Sequence, residues 1–352
     1  MIPTIFGVLV LVIGLFLLVR GSMIAMLGFV MVTTLFGGSA ALSLPALGGS
    51  SIPPANLALL FLLARAVLPG PQQMERLAAG ISSTLFLVIF ALYGSITAWI
   101  LPRLFAGATD VTPMRPGAVR QLFESAPVHF SSQNITTSVY LIGTLISGVG
   151  AYIGAARPGS AAPLVRVAIF IAITHAVLGF ASIMMAGTPL NFLIEFFRNG
   201  NYAQLDQSIE GLSRMNGVWP EASGFAAYGG AWLIFMTELW LRDVRPRATG
   251  FAAALLGAAL LISTSSTAYV TLSGYTAVLI LRSVIMPSSM KFGKALALLG
   301  SAFFAGVLVL AMVTFSATFF DKFANIITIM TVNKTESSSG IQRMFWAKQG
   351  FD

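Results

Sequence analysis

Long apolar runs separated by short polar stretches are the dominant pattern of this 352-residue sequence. A helix that crosses a bilayer needs about 20 apolar residues, and ten segments approach that length. We predict membrane-spanning helices near 2–19, 22–42, 53–68, 77–101, 135–156, 164–186, 222–241, 248–264, 267–283 and 294–318. The eighth and ninth are short and are separated by Ser263–Ser266, which predicts a tight antiparallel hairpin. The pattern therefore predicts an all-α integral membrane protein, a polytopic bundle of about ten transmembrane helices.

The placement of Lys and Arg predicts how this bundle is oriented, because cytoplasmic loops are enriched in basic residues. The short loops on one side carry eleven basic residues and three acidic ones; the basic ones are Arg20, Arg65, Arg76, Arg157, Arg166, Arg242, Arg245, Arg247, Arg282, Lys291 and Lys294. The other side carries nine of each. We therefore expect a periplasmic N-terminus in a bacterial inner membrane, with external loops near 102–134, 187–221 and 319–352. No linker between soluble domains is evident, so 1–352 is predicted to be a single membrane domain.

The composition excludes the main soluble classes of protein. Hydrophobic residues make up 57% of the chain and charged residues only 9%, whereas a soluble domain is about a quarter charged. A soluble enzyme or a nucleic-acid-binding protein is therefore excluded, and the net charge of +8 reflects topology. The chain has no Cys and two His, which rules out a Cys nucleophile and argues against a metal centre. We expect no metal and no cofactor.

The second external loop holds the strongest candidate site. Arg214 and Glu221 lie seven residues apart just before the seventh predicted span, with Gly217 and Pro220 between them to form a turn. An Arg can bind phosphate oxygens in a bidentate manner, and a Glu can act as a general base towards a hydroxyl. The alternative interpretation is an ordinary surface ion pair between the two side chains.

Further candidates lie elsewhere on the chain. Arg115 and Arg120 in the first external loop can face a substrate, whereas the polar stretch 131–138 is interpreted as the N-terminal cap of the fifth span. Arg343 follows Ser and Gly at the start of a helical pattern in the last loop, where anions are attracted; the alternative is a solvated helix face. His175 lies in the middle of the sixth span, either in a functional role or as a neutral side chain hydrogen-bonded between helices.

At these residues the sequence resembles the O-antigen ligase and polymerase superfamily, which includes the Wzy-type polysaccharide polymerases. Three elements carry the resemblance: Arg214, Gly217, Pro220, Glu221 and Ser223 before a span; Ser265-Ser-Thr-Ala268 at the outer turn of the short hairpin; and Ser339, Gly340, Arg343 and Trp346 opening the last external loop. Their order, spacing and sidedness agree across nearly the whole chain.

The resemblance implies a membrane glycosyltransferase of the GT-C kind that uses no nucleotide sugar and no metal. The implied donor is an oligosaccharide on undecaprenyl diphosphate, within the membrane lipid, and the acceptor is another lipid-linked glycan. By the same resemblance Arg214 holds the diphosphate, Glu221 is a base or orients the acceptor, and Arg343 is a second cation for the substrate. A chain-length-determining membrane protein is an expected partner.

Two departures from the family pattern guide the choice of function. Relatives often have Arg at the hairpin turn, where this chain has Ser266, and ligases tend to carry a His in the last external loop, where this chain has none up to Asp352. The sequence therefore favours a polysaccharide polymerase over an O-antigen ligase. A transporter or flippase for lipid-linked glycan is the alternative from another class. The chain ends within a helical pattern, so we expect the complete protein to continue past Asp352 with further spans.

Overall fold

The computed structural model describes residues 2–44, 50–68, 72–111, 126–200, 208–209 and 212–286, and seven further residues between 291 and 300. Contacts between Cα atoms group these residues into two compact units. The first unit runs to residue 167 and includes 199–200; the second comprises 168–198 and the described residues from 208 onward. A single membrane domain over 1–352 stays a prediction.

Helices that follow the apolar runs build the first unit. They are α1 (Ile5–Arg20), α2 (Met23–Thr33), α3 (Pro54–Val67), α4 (Gln73–Ser83), α5 (Leu85–Leu104), α6 (Ser132–Ala155) and the start of α7 (Ala161–Met185). Small residues on α6 allow close packing, because a larger side chain would collide with the neighbouring helices. A Cβ atom added at Gly150 would lie only 2.5 Å from Leu62 of α3, and one added at Gly154 only 2.6 Å from Leu27 of α2. Two glycines four residues apart are a common means by which membrane helices approach each other.

Short antiparallel strands accompany these helices. In the first unit β1 (Ile2–Pro3), β2 (Leu42–Leu44) and β3 (Ser50–Ile52) form one sheet, and β4 (Asp110–Val111) pairs with β5 (Ala126–Pro127). The prediction of one helix over 22–42 is wrong, because α2 ends at Thr33 and the chain turns into β2. The hydroxyl of Thr33 donates to the Val30 carbonyl at 2.7 Å, and Ser43 of β2 pairs with both Ile2 and Ser51.

The predicted span 77–101 is also divided into two helices. Helix α4 ends at Ser83 and α5 begins at Leu85, with Thr84 between them. The Thr84 backbone N–H donates to the carbonyls of both Gly80 and Ile81, and its hydroxyl donates to the Gly80 carbonyl at 2.8 Å. This bifurcated end interrupts the helix within an otherwise continuous apolar run. The fifth span is capped as predicted, since the Ser131 N–H donates to the Asn134 side chain at 2.9 Å.

The second unit is organised around three neighbouring helices. After the remainder of α7 come α8 (Asn191–Phe196), the strands β6 (Ser208–Ile209) and β7 (Leu212–Ser213), α9 (Ala222–Leu241), α10 (Pro246–Ile262) and α11 (Ser266–Ile285). Helices α10 and α11 meet at Ser263–Ser265, which confirms the predicted hairpin. Helix α9 packs against both of them.

Four helices of the described chain are long and apolar enough to cross a membrane, namely α5, α6, α7 and α11. Most side chains of α5 and α11 are not buried in the protein, for example Phe86 at 89% exposure and Val284 at 73%. Apolar surface of this extent suits contact with lipid. The fold is therefore mainly helical and of the membrane type. The predicted tenth span and the third external loop lie largely outside the described residues.

Candidate functional site

Contacts between α7 and α9 define one end of the second unit. A Cβ at Gly229 of α9 would lie 2.9 Å from His175 of α7, and a Cβ at Gly179 would lie 2.5 Å from Phe225. One turn further along α7, Ser182 contacts Gly217, which precedes α9. The two helices are thus antiparallel, and the end of α7 lies beside the start of α9. The segment 214–221 occupies this end.

The inner residues of the segment 214–221 are buried in the unit. Met215, Asn216 and Val218 are each at most 4% exposed. Gly217 has a φ of +53°, and its backbone N–H donates to the Ser182 hydroxyl at 3.0 Å. A Cβ there would lie 3.2 Å from Phe225, so both the left-handed conformation and the packing favour glycine. The turn predicted at Gly217 is confirmed.

Arg214 and Glu221 lie at the two ends of this buried turn. The Arg214 Nε atom is buried and has no hydrogen-bond partner in the described chain. Burial lowers the pKa of the Arg214 guanidinium from its ordinary value, and the charge of Glu221 acts in the opposite direction. Glu221 is the N-cap of α9 and accepts a hydrogen bond from the Ser223 hydroxyl. The ion pairs found among the described residues do not include Arg214 with Glu221.

This geometry does not match the surface ion pair considered above. The charge of Glu221 is close enough to act on the pKa of Arg214, but Glu221 accepts from Ser223, and the buried Arg214 Nε has no partner among the residues described. A buried donor without a partner is costly to maintain. An incoming anion with oxygens in the plane of the guanidinium can satisfy that donor.

Arg198 is a second cation at this end that sequence reasoning did not select. It follows α8, is only 6% exposed, and its Nε donates to the Trp219 carbonyl at 3.2 Å. Arg198 thereby holds the backbone of the segment that carries Arg214 and Glu221. A lone Arg after an apolar helix gives no sign of such a contact, because the partner is a backbone atom 21 positions away.

An aromatic cluster lies beneath the segment. The ring of His175 stacks on Phe225 at 4.2 Å and meets Tyr228 edge-on at 5.0 Å, and Tyr228 lies 4.7 Å from Trp219. The His175 Nε2 donates to the Phe225 carbonyl at 3.1 Å, so the predicted hydrogen bond between helices is confirmed. The indole Nε1 of Trp219 is buried without a hydrogen-bond partner among the described residues. It is a second unused donor beside Arg214.

The hairpin turn between α10 and α11 lies at the same end of the unit. Helix α11 runs parallel to α9, since a Cβ added at Gly230 would lie 2.6 Å from Thr271 and, further along both helices, Arg282 donates to Glu238 at 2.8 Å. Both helices therefore begin at this end. Ser265 is fully buried, and its hydroxyl has no partner in the part of the chain that is described. Thr264 has a φ of +49°. The turn is therefore tightly packed, and its serine supplies a further polar group.

The remaining predicted site residues are not placed. Arg115, Arg120 and Arg343 lie outside the described residues, so their roles stay predictions. Comparisons with protein-family models, with curated proteins and with solved structures returned no match. The described residues therefore define only the class of protein. It is a helical membrane protein with an Arg and a Glu at one end of its helices that form no ion pair with each other. Its activity is a matter for the proposal that follows.

Proposed function

We propose that this protein is a polysaccharide polymerase at the periplasmic face of a bacterial inner membrane. It transfers a glycan from undecaprenyl diphosphate to the hydroxyl of an acceptor glycan, within a GT-C-like bundle of about ten spans. The observation that carries the proposal is that the buried Nε of Arg214 has no hydrogen-bond partner among the described residues, while the Glu221 carboxylate accepts a hydrogen bond from Ser223.

Arg214 suits a diphosphate leaving group. In the proposed reaction the acceptor oxygen bonds to the anomeric carbon while the bond from that carbon to the diphosphate oxygen breaks. The electron pair leaves with the diphosphate, which gains negative charge in the transition state. A partly desolvated guanidinium stabilises that developing charge more than the ground state. The ion pairs between described residues do not include Arg214, so none of them has to break when the diphosphate binds.

Glu221 suits the acceptor side of the same reaction. Its carboxylate accepts a hydrogen bond from Ser223, which fixes its orientation at the start of α9. A carboxylate in this position can take the proton of the attacking hydroxyl as a general base. It can also orient the acceptor through a hydrogen bond without taking the proton. The half-buried indole of Trp219 adds an aromatic surface and an N–H donor of the kind that sugars use.

The distribution of charge within the second unit supports a periplasmic site. The ends of α9 and α11 opposite the segment 214–221 are joined by Glu238 and Arg282, with Oε1 and Nη1 at 2.8 Å. Five further basic residues lie at that same end of the helices, namely Arg242, Arg245, Arg247, Lys291 and Lys294. Basic residues favour the cytoplasm, so the candidate site belongs on the opposite face. The same rule gives a periplasmic N-terminus.

Substitutions at Arg214 and Glu221 test the proposal. We expect Arg214→Ala and Arg214→Lys to reduce polymer formation by about 10²- to 10³-fold, because Lys keeps the charge but lacks the planar fork. Glu221→Gln keeps the shape but cannot accept a proton, so near-complete loss indicates a base and partial activity indicates orientation. Arg247→Ala, an exposed arginine at the other end of the unit, is the matched control and should be neutral.

The assay follows glycan chain length on gels for membranes that contain equal amounts of each inserted variant. Polymer made at the normal rate by Arg214→Ala would refute the proposal. Transfer of the glycan to a lipid core in place of a second glycan would identify an O-antigen ligase. Movement of labelled donor across the membrane without any new glycosidic bond would identify a flippase.

A further inference from the structure

Three arginines converge at one end of the first unit. Arg65 lies in the last turn of α3, Arg76 in the first turn of α4, and Arg157 in the connection from α6 to α7. The ends of these helices are brought together because α6 packs against both α3 and α4. The three side chains come from distant parts of the sequence and form no local pattern.

Arg157 is held in place by a side chain that is itself buried. Its Nη2 donates to the Gln73 side-chain oxygen at 3.1 Å, and Gln73, only 6% exposed, donates in turn to the Ala66 carbonyl at 2.6 Å. The Nε of Arg157 is buried and has no hydrogen-bond partner in the described chain. One edge of the guanidinium is therefore fixed by the protein, and the other retains an unused donor.

The charges around Arg157 are not balanced by acids. Burial, and then the nearby charges of Arg76 and Arg65, lower the pKa of Arg157. The ion pairs seen among the described residues include none of the three arginines. Glu75, the one carboxylate on the first turn of α4, is exposed. The N-terminus of α4 adds further positive potential. Like charges this close repel unless an anion lies between them.

We propose that Arg65, Arg76 and Arg157 form a phosphate-binding site. The planar guanidinium groups suit phosphate oxygens, and basic pockets where membrane helices end commonly bind anionic lipid headgroups. The headgroup of phosphatidylglycerol and free phosphate both offer phosphate oxygens with a net negative charge, which zwitterionic phosphatidylcholine lacks. The experiment below distinguishes the two anions. The site belongs to the first unit and does not depend on the proposed glycosyl transfer.

Binding to the full chain in a neutral detergent tests the site. Thermal unfolding is followed by tryptophan fluorescence while phosphatidylglycerol, phosphatidylcholine or inorganic phosphate is added at constant ionic strength. We expect phosphatidylglycerol or inorganic phosphate to stabilise the wild type. Arg157→Gln and Arg76→Gln should each weaken the apparent affinity by about ten- to a hundredfold, as befits a lost charged hydrogen bond.

Arg166→Gln is the matched control. Arg166 also lies near the start of α7, but its Nε donates to the Ala162 carbonyl of its own helix at 3.4 Å, so its loss should leave the affinity unchanged. Within the described chain, the Arg76 side chain donates to the Gln72 side chain one turn earlier, at 3.3 Å. Arg76→Gln therefore gives a folded test even where Arg157→Gln does not fold.

The outcomes separate the two sources of phosphate. Stabilisation by inorganic phosphate alone identifies a soluble ligand, and stabilisation by phosphatidylglycerol alone identifies a headgroup. Equal stabilisation by phosphatidylcholine, unchanged affinity in Arg76→Gln, or an equal loss in Arg166→Gln would overturn the proposal. None of these results bears on polymer formation, so the two proposals fail independently.

Discussion

Removing one hydroxyl from α7 should disable the candidate site without touching either charged residue. Ser182→Ala deletes the oxygen that accepts a hydrogen bond from the backbone N–H of Gly217 at 3.0 Å. That hydrogen bond is buried. The segment 214–221 would lose its attachment to α7, so Arg214 and Glu221 would no longer be held apart.

The loss of folding stability expected for Ser182→Ala follows from the groups involved. Leaving a buried N–H without an acceptor costs about 1–3 kcal/mol. Ala is the better helix former by about 0.5 kcal/mol, and the bond from Ser182 to the Gly179 carbonyl lies within the same helix, so its loss has little effect. The net destabilisation expected is about 1–2 kcal/mol. The loss of polymer formation should exceed what this loss of stability alone would cause. The segment 214–221 can relax, and the site is then disrupted, while the helices remain folded.

Unfolding in mixed micelles and polymer yield in membranes measure the two effects separately. Ser147→Ala is the matched control, since its hydroxyl donates only to the Gly143 carbonyl one turn earlier in α6. We expect that variant to lie within about 0.5 kcal/mol of the wild type and to be active. If Ser182→Ala proves as stable and as active as Ser147→Ala, the bond to Gly217 does not hold the site.

Three further predictions concern other parts of the second unit. Gly229→Ala should destabilise by about 1–3 kcal/mol, because its Cβ would lie 2.9 Å from a histidine nitrogen, whereas Gly257→Ala, with its nearest atom at 4.0 Å, should be tolerated in the same unfolding assay. Hydrogen bonds from two lysines lower the pKa of Asp243. The contribution of Asp243 to folding stability should therefore be constant from pH 5 to 8 and be lost only as the pH falls below the unfolded-state pKa of about 3.8. In unfolding measured against pH, Asp243→Asn should not show this loss of stability in acid. A periplasm-dependent reporter should be active when fused after Met215 and inactive after Arg245, and the reverse result would contradict the proposed orientation.

The helices could largely be predicted from the sequence, because the length of an apolar run is a local property. The predicted span 135–156 corresponds to Ser132–Ala155, and 222–241 corresponds to Ala222–Leu241. The two wrong predictions, of single helices over 22–42 and 77–101, involve interactions that the length of an apolar run does not reveal. At Thr84 a hydroxyl and a bifurcated N–H end one helix within an apolar run. After Thr33 the chain pairs with strands near both residue 2 and residue 51.

The candidate site shows the same division between local and tertiary information. The spacing of Arg214, Gly217 and Glu221 was visible as a motif, and the structure brings them to one end of α7 and α9. The roles of Ser182 and Arg198 were not visible, because each acts through a backbone atom of a distant segment. Sequence patterns show which side chains could react, and tertiary contacts show which residues hold them.

The separation of Arg214 from Glu221 requires an explanation, because opposite charges attract. An exposed ion pair of this kind contributes about 0–1 kcal/mol, so closing the pair is favourable where nothing opposes it. Three contacts oppose closure: the turn at Gly217, its bond to Ser182, and the bond from Ser223 to Glu221. Folding thus keeps the Arg214 Nε without a partner within the described part of the chain, and an anionic ligand can supply one. The backbone contacts of the segment 214–221 should therefore matter for activity as much as its two charges.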